Sequence, residues 1–245
     1  MKNYLSERLA QIKPSPTIAI SDKARELRAA GEDVISLSQG EPDFETPEHI
    51  KVAAIRAMQD GHTRYTAVDG IPELKQAIRD KFKQDNGLSY ELSQISVSTG
   101  GKQVLYNAFM ATLNAGDEVI IPAPYWVSYP DMVVLAEGRP VIAACLAQND
   151  FKLTAEELEA AITPATRWLI LNSPSNPTGS VYNQHELKAL AEVLLRHPQI
   201  LVMSDDIYEH LIYGKAKFST LAQVEPKLFS RTLTCNGMSK AYCMT

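Results

Sequence analysis

The stretch Trp168-Leu169-Ile170-Leu171-Asn172-Ser173-Pro174-Ser175-Asn176-Pro177-Thr178-Gly179 decides the fold class. Its four leading apolar residues do not alternate with polar ones, so they suit a strand covered on both faces. Proline, asparagine and glycine then break the run into a loop. An amphipathic stretch follows at 184–196, and a second apolar run, Ile200-Leu201-Val202-Met203, comes after it. Strand, loop, helix and strand in that order build a parallel sheet.

The same alternation extends in both directions. Upstream, Ile95-Ser96-Val97-Ser98 precedes helical spacing over 102–113, and the turn Asn114-Ala115-Gly116-Asp117 precedes Glu118-Val119-Ile120-Ile121. A helix candidate at 127–137 leads to Val141-Ile142-Ala143-Ala144, and Thr154-Ala155-Glu156-Glu157 opens another helix as a cap followed by acids. Downstream, Thr232-Leu233-Thr234 reads as a further strand. The chain is therefore expected to be α/β, a mainly parallel sheet with helices on both faces. The first ninety residues differ: helices are expected over 21–30, 47–60 and 71–84. They are separated by the loops Ser38-Gln39-Gly40-Glu41-Pro42-Asp43-Phe44 and Thr63-Arg64-Tyr65-Thr66-Ala67. Those loops are either contact loops or plain turns between helices.

Bulk properties exclude several classes. A 245-residue chain with 45% hydrophobic and 22% charged residues can bury a sizeable core. A net charge of −5 leaves no basic footprint for nucleic acid. No apolar run is long enough to span a membrane, and the first residues lack the apolar core of a signal peptide. Cys145, Cys235 and Cys243 fit neither a disulfide framework nor a zinc site, and the five histidines show no metal-ligand spacing. A cytoplasmic setting, no metal, no membrane and no nucleic acid are the expectations.

In a parallel α/β sheet, ligands bind outside the carboxyl ends of the strands, and the unusual polar sequences fall there. Ser98-Thr99-Gly100-Gly101-Lys102-Gln103 runs into a helix whose free N–H groups can cradle a phosphate, or it is a bare helix start. It is not a nucleoside-triphosphate loop, because Gln103 stands where Ser or Thr is needed. Pro124-Tyr125-Trp126 puts aromatics at a strand end, to stack on a flat ring or to pack the core. Asn176, fixed between prolines, can donate to a ring oxygen, although the stiff turn has its own purpose. Asp205 or Asp206 can hold a protonated ring nitrogen, with Tyr208 three residues past Asp205. Lys240 follows the small residues of Asn236-Gly237-Met238-Ser239. A lysine amine attacks a carbonyl only when unprotonated, which burial or a neighbouring cation favours. Phosphate cradle, stacking ring, oxygen donors, carboxylate and amine together match the groups of pyridoxal phosphate.

Taken in order, these motifs, with Lys13-Pro14-Ser15, Gly40-Glu41-Pro42-Asp43-Phe44, Gly70-Ile71-Pro72-Glu73-Leu74 and Ser239-Lys240, resemble the fold-type I, class I aminotransferases, in particular the bacterial aspartate aminotransferase-like branch. The resemblance implies a seven-stranded sheet in a large domain over 46–245, incomplete at its end. An N-terminal arm and part of a small domain would occupy 1–45. Lys240 is then the Schiff-base lysine and proton shuttle, Asp205 the partner of the ring nitrogen, and Tyr208 and Asn176 the partners of the phenolic oxygen. Trp126 would stack, Gly101 and Lys102 would bind the phosphate, and Tyr65 would reach the phosphate of the partner subunit in a homodimer. Gly40, Trp126 and Asn176 would touch the substrate. The implied reaction moves an amino group from an L-amino acid, with aspartate the default, to a 2-oxo acid such as 2-oxoglutarate. Gly237 stands where such enzymes often carry a phosphate-binding serine. A C-terminal segment with two anion-binding arginines is expected to be absent. An inactive remnant that binds cofactor or dimerises, and another fold-type I activity such as a lyase, remain as alternatives.

Overall fold

The computed structural model describes residues 4–245. Five strands, β1 (Glu118–Ala123), β2 (Arg139–Ala144), β3 (Thr166–Asn172), β4 (Leu201–Asp205) and β5 (Thr232–Cys235), form one sheet in the order β2-β1-β3-β4-β5. Every adjacent pair is parallel. The helices are α1 (Pro16–Ala29), α2 (Glu48–Gln59), α3 (Pro72–Asn86), α4 (Gly101–Thr112), α5 (Ser128–Leu135), α6 (Ala155–Ala161), α7 (Gln184–Arg196), α8 (Leu221–Val224) and α9 (Met238–Ala241).

The unbroken apolar runs are explained by what covers them. Side chains alternate across a strand, so Ile120, Leu169, Leu171 and Val202 pack against Leu158 of α6 and Leu187, Leu190 and Leu194 of α7. Their neighbours Val119, Ile121, Trp168, Ile170 and Met203 pack on the other face against Leu105 and Phe109 of α4 and Met132 and Val133 of α5. Helix α5 joins β1 to β2 on one face, while α6, α7 and α8 join later strands in the opposite direction on the other. A single handedness of crossover requires that division. The chain direction therefore reverses between β1 and β3, which opens a crevice at their carboxyl ends.

The expected caps form. Thr154 Oγ1 accepts from the Glu157 amide at 3.2 Å and Glu157 Oε2 accepts from the Thr154 amide at 2.9 Å. That reciprocal pair satisfies two otherwise orphaned donors of α6. The sheet count is a correction: five strands stand among the described residues, not seven. The run 95–98 is a loop rather than a strand. Its Val97 amide donates to the Asp69 carbonyl at 3.0 Å, in a loop, and among the described residues no strand lies alongside to supply the ladder of bonds that a sheet needs.

That Val97 contact fixes Gly70. Its φ is +106°, and a Cβ there would stand 2.7 Å from Val97 Cγ2. Gly70→Ala should combine backbone strain with overpacking and cost at least ~2 kcal/mol. A urea midpoint within error of the unsubstituted chain would show that the 67–70 loop does not rest on Val97.

Candidate active site

Four of the five strands end in residues that the sequence singles out. Strand β1 runs into Pro124, Tyr125 and Trp126, and β3 into the loop bearing Asn176. Strand β4 ends on Asp205 and turns through Asp206 to Tyr208, and β5 leads into α9 with Lys240. Contacts join these ends in one line. Lys240 Nζ donates to the Gly40 carbonyl at 2.6 Å. A carbon added at Gly40 would stand 3.7 Å from the Tyr208 hydroxyl, to which Asn176 Nδ2 donates at 3.5 Å. The Asn176 amide bonds to Asn172 Oδ1 at 2.7 Å, and Asn172 Nδ2 donates to the Asp205 carbonyl at 2.8 Å. Asp205 Oδ2 in turn accepts from the Tyr129 hydroxyl at 2.6 Å. The Tyr129 ring meets Trp126 edge-on with centroids 5.3 Å apart, and Lys102 Nζ lies 4.9 Å over the Trp126 ring.

Local structure explains these placements. Helix α4 begins after Gly100 at φ +86°, with no side chain capping its first turn. The Gly101 and Lys102 amides are thereby among the N–H groups that a helix leaves without internal partners, at the positive end of its dipole. A Cβ at Gly101 would meet nothing within 4 Å. Gly237 has a reason of its own: a Cβ there would come 3.0 Å from Ile207 Cδ1, so a serine would need Ile207 to give way.

Tyr65 stands apart. Its side chain is fully exposed on the loop before α3, and it joins none of the contacts above. Tyr129 and Asn172 are site neighbours that sequence reasoning did not pick out. Tyr129 lies inside a helix candidate, where an aromatic reads as core, and only the fold brings its hydroxyl to Asp205. Asn172 closes a strand at the loop rich in proline, and that position is the only available sequence signal.

Burial governs the electrostatics. It pushes the Asp205 carboxyl upward, while the Tyr129 hydroxyl and the Ile207 amide pull it back by bonding the charged form. Tyr129 is raised well above the ordinary phenol value, first by burial and then by the Asp205 charge, so it stays the donor. Tyr208 also rises, through burial and the Asp205 charge. Burial drives Asp206 up to about 7 against the Thr220 and Ser204 hydroxyls, with the charges of Asp205 and Glu209 adding to the rise. Ser204 Oγ donates to Asp206 Oδ1 at 2.8 Å, whereas buried Oδ2 has no hydrogen-bond partner.

Asp206 therefore binds its proton more tightly folded than unfolded, where an aspartate titrates near ~3.9. Between about pH 4 and 7 the folded chain holds a proton that the unfolded chain has lost, so this group's contribution to stability falls as pH rises. Asp206→Asn should remove that slope, gaining stability relative to the parent as pH is raised across the window. Urea midpoints of both chains at about pH 5 and pH 7.5 that move in parallel would sink the assignment.

A family model described as aminotransferase class I and II matches residues 32–245. The chain is 66% identical over 242 residues to the aspartate/prephenate aminotransferase of Cereibacter sphaeroides, covering 99% of this chain and 60% of that protein. It is 56% identical over 240 residues to the aspartate aminotransferase of Rhizobium meliloti, covering 98% of this chain and 58% of that one. The crystal structure of the aspartate aminotransferase from Rhizobium meliloti superposes with a TM-score of 0.96 at 55% identity, over 99% of this chain and 61% of that chain. The Thermus thermophilus aspartate aminotransferase with maleate gives 0.93 at 46%, over 99% and 62%. The chain spans about three-fifths of the length of these relatives. With the parallel sheet, the line of strand-end contacts and a match over most of its length, the chain belongs to the class I and II aminotransferase family.

Proposed function

We propose that this chain carries the cofactor-holding residues of a pyridoxal-phosphate-dependent aminotransferase, moving an amino group from aspartate to a 2-oxo acid, 2-oxoglutarate in the first instance. The observation that carries the reading is a run of contacts at the strand ends that brings an amine, an amide and a phenol together, with a buried carboxylate close enough to act on the phenol. Lys240, Asn176, Tyr208 and Asp205 supply them. That donor set fits pyridoxal phosphate. Asp205 is a buried carboxylate with acceptor capacity beyond its Tyr129 bond, and the start of α4 offers amides beside open space. When bound, the cofactor supplies an aldehyde for an amine and an electron-withdrawing ring.

The chain's own residues divide the remaining work. Lys240 Nζ is the attaching amine and holds or delivers a proton at the reacting carbon. Asp205 keeps a proton on the ring nitrogen, and burial makes its charge count for more than it would in water. Tyr208 and Asn176 donate to the phenolic oxygen. Trp126 covers a ring face, and the Gly101 and Lys102 amides take the phosphate. Gly40 and Asn176 meet the substrate carboxylate, and Trp126 also touches the substrate.

A homodimer is part of this reading, with Tyr65 reaching the partner's site. Two features support it: Tyr65 is fully exposed, and α2 buries no residue while exposing Val52, Ile55 and Met58 on one side. The division into an arm at 1–45 and a large domain at 46–245 is proposed on the same grounds, since α1 buries only Ser21 and Ala24. Three free thiols suit a reducing, cytoplasmic setting, and no helix among the described residues is long and apolar enough to cross a membrane.

Borohydride reduction with pyridoxal phosphate should place a pyridoxyl group on Lys240, read by peptide mapping. A label elsewhere, or none, ends the cofactor reading. Lys240→Ala should abolish both the label and aspartate-to-2-oxoglutarate transfer, lowering any measured rate by at least about a thousandfold, the scale typical for removing a covalent nucleophile. Sedimentation at micromolar concentration should return twice the 27.1 kDa chain mass, and a monomer mass would remove the role of Tyr65.

A further inference from the structure

Glu209 lies one residue beyond Tyr208, outside the chemistry described above, yet its side chain is among the most enclosed charges in the molecule. Only 3% of it is exposed. Helix α3 provides most of its partners. Lys81 forms a close ion pair with Oε1, and Asn86 Nδ2 donates to Oε2 at 3.1 Å. Lys81 also donates to Asn86 Oδ1 at 2.9 Å, so the two partners are tied to each other. His210 Nε2 stands 2.8 Å from Oε1, and Asp85 flanks the group at 3.9 Å from Lys81 and 4.0 Å from His210. The Asp85, Glu209 and His210 ligand atoms lie within 4.8 Å of one another. The Lys81 ammonium already supplies the positive charge at that point, so the cluster reads as an ion clamp rather than a metal site.

The clamp bears on the turn after β4. The Glu209 amide donates to the Asp206 carbonyl at 3.0 Å, and the Leu211 amide to the Tyr208 carbonyl at 2.8 Å. Those bonds close the turn on itself. Its first residue is tied to β5, where the Asp206 amide donates to the Cys235 carbonyl at 2.9 Å. Among the described residues, the stretch 207–211 that carries Tyr208 and Glu209 makes no backbone bond of that kind to a second element. Its Tyr208 hydroxyl has one long bond, from Asn176 at 3.5 Å, so that contact alone holds it weakly. Helix α3 is a firm anchor. It packs Phe82 into a small core with Leu88 and Ala222, and at its other end Lys75 pairs with Asp69 beside Gly70.

We propose that Glu209 is a positioning residue: by gripping Lys81 and Asn86 of α3, its buried carboxylate fixes the 206–211 turn and thereby sets where the Tyr208 hydroxyl points. This rests on the reading that Tyr208 meets the cofactor's phenolic oxygen. A buried acid held by the Lys81 charge and the Asn86 hydrogen bond restrains backbone more firmly than an exposed pair, because breaking either partner leaves a desolvated charge. The position of a donor then translates into how strongly it favours the ionised form of the oxygen that it faces.

The test uses the full chain loaded with pyridoxal phosphate, with two readouts besides activity: the pH midpoint of the bound cofactor's visible absorbance and its dissociation constant. Tyr208→Phe should raise the midpoint by about one unit, a tenfold change in the proton equilibrium, because a donor to the ionised oxygen is lost. Glu209→Gln should raise it by about half a unit, roughly threefold, and weaken cofactor binding about threefold. In the Tyr208→Phe background, Glu209→Gln should add nothing to the midpoint, since the two act through one hydroxyl. Asn86→Ala, which leaves the Lys81 pair in place, gives a smaller shift of the same sign and serves if Glu209→Gln fails to fold. A lowered melting temperature with an unmoved midpoint in both variants overturns the proposal and leaves Glu209 a structural staple. Equal shifts with and without the Tyr208 hydroxyl overturn it too. If Tyr208→Phe itself leaves the midpoint unchanged, the reading of Tyr208 fails and Glu209 loses its target.

Discussion

The central strands of this protein are covered on both faces, and the rest of the structure follows from that constraint. With Val119, Ile120, Ile121, Leu169, Ile170, Val202 and Met203 all essentially closed to solvent, a polar group within the sheet has few ways to be satisfied. Polar chemistry is therefore displaced to the carboxyl ends, where strands give way to loops and helix starts. The reversal of chain direction between β1 and β3 separates two loops and leaves room between them. Each group in the crevice sits there because its strand ends there.

The same burial decides the charge states. Asp205 and Asp206 are adjacent, and both are driven upward by desolvation, but their surroundings differ. Asp205 accepts from Tyr129, whose proton is held firmly by its own burial, so the pair has a fixed donor and a fixed acceptor. Asp206 has the Ser204 hydroxyl on one oxygen and no hydrogen-bond partner on the other. Two identical residues side by side thus come to different roles, one equipped to hold charge and one disposed to hold a proton.

Much of the fold was legible because its signals are local. Helix α7 begins and ends where its amphipathic spacing says, and the capping box at Thr154 and Glu157 forms as its residue types predict. The run 95–98 misled for a non-local reason: it has strand composition, but a strand also needs a neighbour, and β-branched residues do not reveal one. In the site, Asn176, Asp205, Tyr208 and Lys240 stood out as polar groups beside apolar runs. Tyr129 did not, because a tyrosine three residues into an apolar helix looks like core until its hydroxyl is given an address. Glu209 was equally silent, since an acid in Tyr208-Glu209-His210 reads as surface until α3 closes over it.

The amino-acid sequence by itself determined the central strands with two buried faces, where most of the helices begin, and which chemical groups lie at strand ends. It did not place the start of α1, which is Pro16 rather than Ser21. Hydrophobic periodicity, capping and turn chemistry are all interactions within a few residues. Tertiary structure alone decided that five strands pair, that Lys240 reaches the Gly40 carbonyl across 200 positions of chain, and that Tyr129 and Glu209 hold the groups beside them. Those outcomes depend on which surfaces are brought together and dried, and desolvation is a property of the packed molecule rather than of any stretch of it.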